Sequence, residues 1–114
     1  MARQTPIPQD VIDAARLDYQ ANYRPGLKLK PITLDERIVG FYYPHKCKSG
    51  FNLGPIFVLP EFRRLGLAGK LYRSTPGSLI ACIRDDNQPS IALHESVGFK
   101  RWRRYSSGWW WRRV

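Results

Sequence analysis

The stretch IFVLPEFRRLGLAGK, residues 56–70, joins an unbroken apolar run closed by proline to a turn that mixes glycines with cations. Such a run predicts a strand buried on both faces, here the central one of its sheet. A helix beginning near Leu65 would then aim unpaired backbone N–H groups at one point, where the helix dipole also favours negative charge. Gly66 and the small Ala68 would let a ligand approach the main chain. Arg63, Arg64 and Lys70 add positive charge nearby. Strand, turn and helix in this order predict a phosphate cradle, to be weighed against a plain turn with exposed arginines.

Two phosphate motifs do not fit. The triphosphate P-loop needs four residues between its glycine and Gly-Lys, followed by Ser or Thr, whereas here two residues separate Gly66 from Gly69-Lys70 and Leu71 follows. The dinucleotide fingerprint needs three glycines at fixed offsets and an acid about twenty residues on. Asp85 and Asp86 fall near that distance, but the glycines are misplaced. A third pattern does fit. Arg63-x-x-Gly66-x-Ala68, directly after Val58-Leu59-Pro60, resembles the pyrophosphate signature of the GNAT family of acetyl-CoA-dependent N-acetyltransferases. NQPSIALHESVGF, residues 87–99, resembles the same family's asparagine, helix and terminal Gly-Phe. The two motifs stand in the family's order with a strand between them, and the resemblance covers roughly residues 36–105.

The resemblance implies one GNAT-like acetyltransferase domain over residues 1–114, of α/β class, with a mixed central sheet flanked by helices and a C-terminal β-hairpin. Its size resembles that of compact members encoded by bacteriophages. It also implies acetyl-CoA as acyl donor and direct attack by a primary amine, either a protein lysine, a protein N-terminus or a small amine. Carried over by position, main-chain groups of Val58 and Leu59 would hold the pantetheine arm. The amides of Arg64, Leu65, Gly66, Leu67, Ala68, Gly69 and Lys70 would hold the pyrophosphate, with Arg63 beside them. Asn87 would contact the cofactor arm, and the reacting carbonyl would lie between Val58 and the strand ending at Ile83. Where the family often has a tyrosine acting as general acid, this chain has His94. Histidine can give a proton near neutral pH, and a histidine that only packs on its helix is the other reading. For the base that deprotonates the amine, Glu61, His45, Glu36 and a bound water are the candidates.

Residues 8–23 predict a helix with Ile12, Ala15, Tyr19 and Tyr23 on one stripe, stopped by Pro25-Gly26. LKLKPITL and RIVGFYY around Asp35-Glu36 predict a hairpin, with Pro31 placing the first strand at an edge. PHKCKSG reads as a basic loop. A short helix to about Arg73, a buried strand from Leu79 to Ile83, a helix from Pro89 to Val97 and a closing hairpin, FKRWRRY with WWWRRV, complete the order.

With 114 residues, 43% of them hydrophobic, the chain has apolar material for one core. Nineteen Lys and Arg against nine Asp and Glu give a formal charge of +10, which attracts anionic partners: nucleic acids, acidic proteins or phosphorylated cofactors. Lys100, Arg101, Arg103, Arg104, Arg112 and Arg113 crowd the final stretch, where no acid occurs. The tail's mixture of Trp and Arg suits a surface that stacks bases or meets phosphates. Its plainer reading has Trp109 and Trp111 covering the core beneath solvated arginines. An acidic protein stands ahead of nucleic acid as partner, because no nucleic-acid module is present, and Trp-rich edges would suit a homodimer. Cys47 and Cys82 lie in unlike settings, a polar loop and the apolar run LIACI. No disulfide framework is expected; Cys82 is assigned to the core, and a reducing cytoplasm fits. No Cys/His cluster has metal-ligand spacing. No apolar run approaches the roughly 18 residues of a membrane span, and MARQTPIPQD lacks the apolar centre of a secretory signal.

Overall fold

The computed structural model describes residues 6–18, 21 and 23–114. It divides into two compact units, Met1–Pro44 with Leu53–Leu65, and His45–Asn52 with Gly66–Val114.

In the first unit, α1 spans Gln9–Leu17, with Asp10 at its positive end and Arg16 at its negative end. Val11 and Ala15, one turn apart, are its buried stripe. The helix is shorter than its periodicity suggests. At Asp18 the backbone is already extended, and the carboxylate accepts a hydrogen bond from Arg63 at 2.9 Å. Tyr19, expected on the apolar stripe, lies outside the described residues. Strands β1 (Lys30–Leu34) and β2 (Arg37–Tyr42) form the expected hairpin, with β1 at the sheet edge as Pro31 requires. Asp35 and Glu36 both take positive φ, 49° and 66°, the twist that lets a two-residue turn match its strands. Asp is among the side chains that tolerate that region but Glu is not, so Glu36→Gly should stabilise the protein by about 1 kcal/mol. The check is thermal melting. Retained activity in the same variant would strike Glu36 from the candidate bases.

Strand β2 also pairs with β5 (Ile56–Val58), giving the order β1-β2-β5. β5 is therefore the last strand of an antiparallel sheet, not a central strand buried on both faces. Of its three residues only Phe57 is fully buried, because Ile56 and Val58 point to the opposite face from Phe57. Phe57 stacks on Phe41 with ring centroids 5.6 Å apart. Together with Val11, Ala15, Ala21, Leu29 and Leu59 these two rings make the unit's core.

In the second unit the supposed basic loop forms a small hairpin, β3 (His45–Cys47) with β4 (Gly50–Asn52). The thiol of Cys47 donates to the Gly50 carbonyl at 3.2 Å, across the turn. Its polar composition hid the strands, whose side chains are at most half-buried. Helix α2 (Leu67–Ser74), strand β6 (Leu79–Arg84), helix α3 (Gln88–Ser96) and the hairpin β7 (Lys100–Tyr105) with β8 (Gly108–Arg113) follow. The sheet order is β6-β8-β7, antiparallel throughout. Leu79, Ala81 and Ile83 alternate inward, and Trp111, opposite Ala81, is buried with them. Cys82 is exposed, contrary to its assignment to the core, because a strand's alternation turns it away from Ala81 and Ile83. Arg113 caps the far end of α2, donating to the carbonyls of Tyr72, Thr75 and Gly77 at 2.6 to 2.9 Å.

Candidate functional site

The first unit carries the strand side of the predicted cradle. The Leu59 amide donates to the Val39 carbonyl at 2.8 Å, and the Leu59 carbonyl accepts from the Phe62 amide at 2.9 Å. Both main-chain groups of Leu59 are engaged in these two bonds. Val58 differs. Antiparallel pairing turns alternate residues toward and away from the partner strand. With residue 59 bonded to β2, Val58 directs its backbone groups to the outer edge. Its carbonyl there accepts from Arg63 Nε at 2.8 Å.

The Arg63 guanidinium binds Val58 and Asp18 and lies 5.5 Å from the Phe57 ring centroid. Its side chain clamps the end of β5 to the segment after α1. A 3₁₀ turn, Pro60–Phe62, intervenes between strand and helix. Arg64 is exposed and held at φ 64°, a strained region for a side chain with a Cβ. Leu65 is exposed too, as 58% of its surface meets solvent.

The second unit carries the helix side. α2 begins at Leu67, later than expected, because Gly66 takes the left-handed conformation at φ 76°, ψ 15° as its N-cap. The first helical bond runs from the Lys70 amide to the Gly66 carbonyl at 2.9 Å. Lys70's amide is thereby engaged within the helix. The amides of Gly66, Leu67, Ala68 and Gly69 are the ones a helix start leaves over. No side chain caps them and no acid stands in the first turn. The arrangement can bind an anion through main-chain donors and the dipole together.

Asn87 is the N-cap of α3. Its Oδ1 accepts from the Ser90 amide at 3.3 Å, leaving Nδ2 as the donor it could offer a ligand. Asp85 and Asp86, just before it, pair with Arg104 and Arg84.

His94 is 5% exposed, the single buried polar side chain among the described residues. Its ring forms a triangle with Tyr72 and Phe99, with centroids 4.9 Å from each, and those two rings are 5.3 Å apart. The Ser90 carbonyl, which can only accept, sits 2.7 Å from Nδ1, so Nδ1 carries the proton. Nε2 then accepts from the Tyr72 hydroxyl at 2.8 Å. Both ring nitrogens are occupied within the unit, and the neutral ring has no proton to deliver outward. On this geometry the ring packs α3 against α2.

Burial holds the His94 imidazole below its ordinary 6.5, with the bond to Ser90 opposing, while burial pushes the Tyr72 phenol up. When a folded pKa lies below the unfolded one, the unfolded chain takes up the proton first as pH falls. The stability carried by neutral His94 is complete above about pH 6.5 and is lost progressively below it, down through the folded value. His94→Gln should flatten that part of a plot of melting temperature against pH. At neutral pH it should cost about 1–3 kcal/mol, since Tyr72 loses its acceptor.

Among the described residues no cluster of three or more His, Cys, Asp or Glu could hold a metal ion. No helix among them is long and apolar enough to cross a membrane.

With this geometry in view, known structures can be compared. A GNAT family acetyltransferase from Elizabethkingia anophelis, crystallised with acetyl-CoA, superposes with a TM-score of 0.71 at 15% identity, over 99% of this chain and 94% of that one. The fold is that of the GNAT acetyltransferases. The PaiA N-acetyltransferase of Thermoplasma acidophilum, in complex with coenzyme A, gives 0.57 at 15% identity over 71% of this chain. The ribosomal-protein-S18-alanine N-acetyltransferase of Escherichia coli gives 0.53 at 22% identity, again over 71%. The chain spans 56% and 64% of the lengths of these last two GNAT proteins. No family model and no curated sequence matches it.

Proposed function

We propose that the chain is an N-acetyltransferase that moves an acetyl group from acetyl-CoA to a primary amine. The carrying observation is the uncapped start of α2, where the first helical bond closes at Lys70 and no carboxylate stands in the first turn, so that the Gly66, Leu67, Ala68 and Gly69 amides are the donors the helix start leaves over. These four amides bind the pyrophosphate. Each unit, taken by itself, offers a donor suited to the pantetheine arm: the outward N–H of Val58 in the first and Nδ2 of Asn87 in the second. The GNAT fold and the coenzyme A or acetyl-CoA in two structural neighbours support the reading.

The reaction needs no acyl-enzyme. The neutral amine attacks the thioester carbonyl, the C–N bond forms, the C–S bond breaks, and coenzyme A leaves as thiolate while the amine nitrogen loses a proton. A group other than His94 protonates the thiolate, since His94 has both nitrogens engaged. Cys82 takes no part as a nucleophile.

Calorimetric titration with acetyl-CoA, followed by thiol release with lysine peptides, free N-termini and small amines, tests the proposal. Binding and amine-dependent release are expected; no binding at millimolar acetyl-CoA would end it. A second reading draws on the engagement of His94: the fold persists as a binding module with weakened chemistry. Binding of acetyl-CoA with no thiol release from any amine would decide for that one.

A further inference from the structure

Acetyl transfer leaves the cationic C-terminal hairpin without a task. Pairing sorts its side chains: Lys100 lies opposite Arg112 and Arg103 opposite Trp110, so these four share one face. On the other face Trp111 is buried. A register shift between Arg101 and Arg103 inserts Trp102 as an extra residue. The guanidiniums of Arg103 and Arg112 lie 4.3 Å and 4.7 Å from the Trp102 ring centroid. Lys100, Arg103 and Arg112 are exposed, and none forms an ion pair among the described residues. Beside them is a depression of about 410 Å³ lined by Gly98, Lys100, Arg101, Trp102, Arg112 and Val114. β7 is also the end strand of its sheet, so alternate backbone groups on its outer side have no strand to pair with there.

We propose that this face and the β7 edge bind an acidic polypeptide in extended conformation, its carboxylates meeting Lys100, Arg103 and Arg112. A guanidinium resting on an indole keeps its plane fixed and offers its N–H edge, a fork matched to a carboxylate. Such a side chain is already ordered, so less freedom is lost on binding. An extended chain can add along a strand edge and place alternate side chains over one face.

The same rings argue against nucleic acid. A base-stacking platform needs bare aromatic faces. Here Trp102 carries two guanidiniums, Trp109 has Arg101 and Arg104 at 5.4 Å and 5.7 Å, and Trp111 is buried with Arg101 at 5.6 Å. A second copy of the chain is disfavoured by charge, since each brings +10 to the contact.

The test is independent of acetyl transfer. A fluorescein-labelled peptide alternating Glu with Thr is titrated with the full chain at low salt and followed by anisotropy. A Gln-Thr peptide and a thymidine oligonucleotide of matching length are run beside it. The Glu-Thr peptide should bind, the Gln-Thr peptide should not, and the double variant R103Q/R112Q should lose about tenfold in affinity. Acetyl-CoA binding should be unchanged in that variant. Should the double variant melt early, Lys100→Gln carries the comparison, with an expected loss of about twofold to fivefold. Equal binding of the Gln-Thr peptide, or undiminished affinity in the folded variants, would overturn the proposal. Tighter binding of the oligonucleotide than of the Glu-Thr peptide would overturn it in favour of nucleic acid.

Discussion

Gly66→Val is expected to weaken acetyl-CoA binding by about tenfold or more, while Arg64→Ala changes it by less than about threefold. Room is not the issue, because nothing lies within 4 Å of a Cβ built on Gly66. Conformation is. A β-branched residue at φ 76° is strained by upwards of about 1–2 kcal/mol. It can relieve that strain only by rotating the peptide that opens α2. The Gly66 carbonyl, which holds the Lys70 amide, would swing with it, and the helix start that leaves the four amides over would be disrupted. Gly66→Asn is the control, since Asn tolerates the left-handed region and should bind nearly as well as wild type. Calorimetric titration of the three variants, with melting curves for each, separates binding from folding. A folded Gly66→Val protein that binds acetyl-CoA normally would remove the cradle from the proposal.

Arg64 shows why the glycine and not the arginine carries the expectation. Both residues stand at positive φ, so the turn has two places for strain within three residues. Only Gly66 adopts that geometry without cost. Arg64 is exposed and Arg63 has its guanidinium committed to Val58 and Asp18. The charges that draw the eye in residues 63–70 are thus peripheral to the main-chain donors.

The sequence reading went furthest where local chemistry dictates the backbone. Asp35-Glu36 between two β-branched runs, Asn87 before Pro89, and Gly98 after an apolar helix each marked a boundary seen in the structure within about two residues. It went astray where tertiary partners decide. The extent of α1 depends on Asp18 meeting a residue 45 positions away. The β3–β4 hairpin has too few apolar residues to announce itself, and β4 packs on β6 from another part of the chain. Burial of β5 was overestimated because a three-residue apolar strand looks the same whether one face or both are covered. At the candidate site, a helix start after Gly66 was legible from the glycine, but the number of amides it leaves over was not, since that depends on where the first helical bond closes. His94 was least legible of all. Its spacing from Asn87 says nothing of the contacts with Tyr72, Ser90 and Phe99 that pack the ring.

Gly40→Ala should be the most damaging single methyl in the first unit. Gly40 lies opposite Val58 on β2, and a Cβ there would overlap the Phe57 carbonyl oxygen and stand 3.0 Å from the Val58 Cα. All the atoms in the way are backbone, so no rotamer change can relieve the clash. β5 must move off β2, and the loss should be about 3 kcal/mol or more. A chain of this length has on the order of 6–17 kcal/mol in total, so the variant should melt at least about 10 °C lower. The effect should also reach the ligand. The bond from Leu59 to Val39 fixes β5 in register, and that register turns Val58 outward. Acetyl-CoA binding measured well below the variant's own melting temperature should therefore also be weaker than wild type. Thermal melts and titrations on Gly40→Ala, with Val39→Ala as a cavity-forming comparison on the same strand, distinguish the two causes. Val39→Ala should lower stability while leaving β5 in register and binding nearly intact. Equal loss of binding in both would mean that stability alone, and not the register of β5, governs how Val58 meets the cofactor.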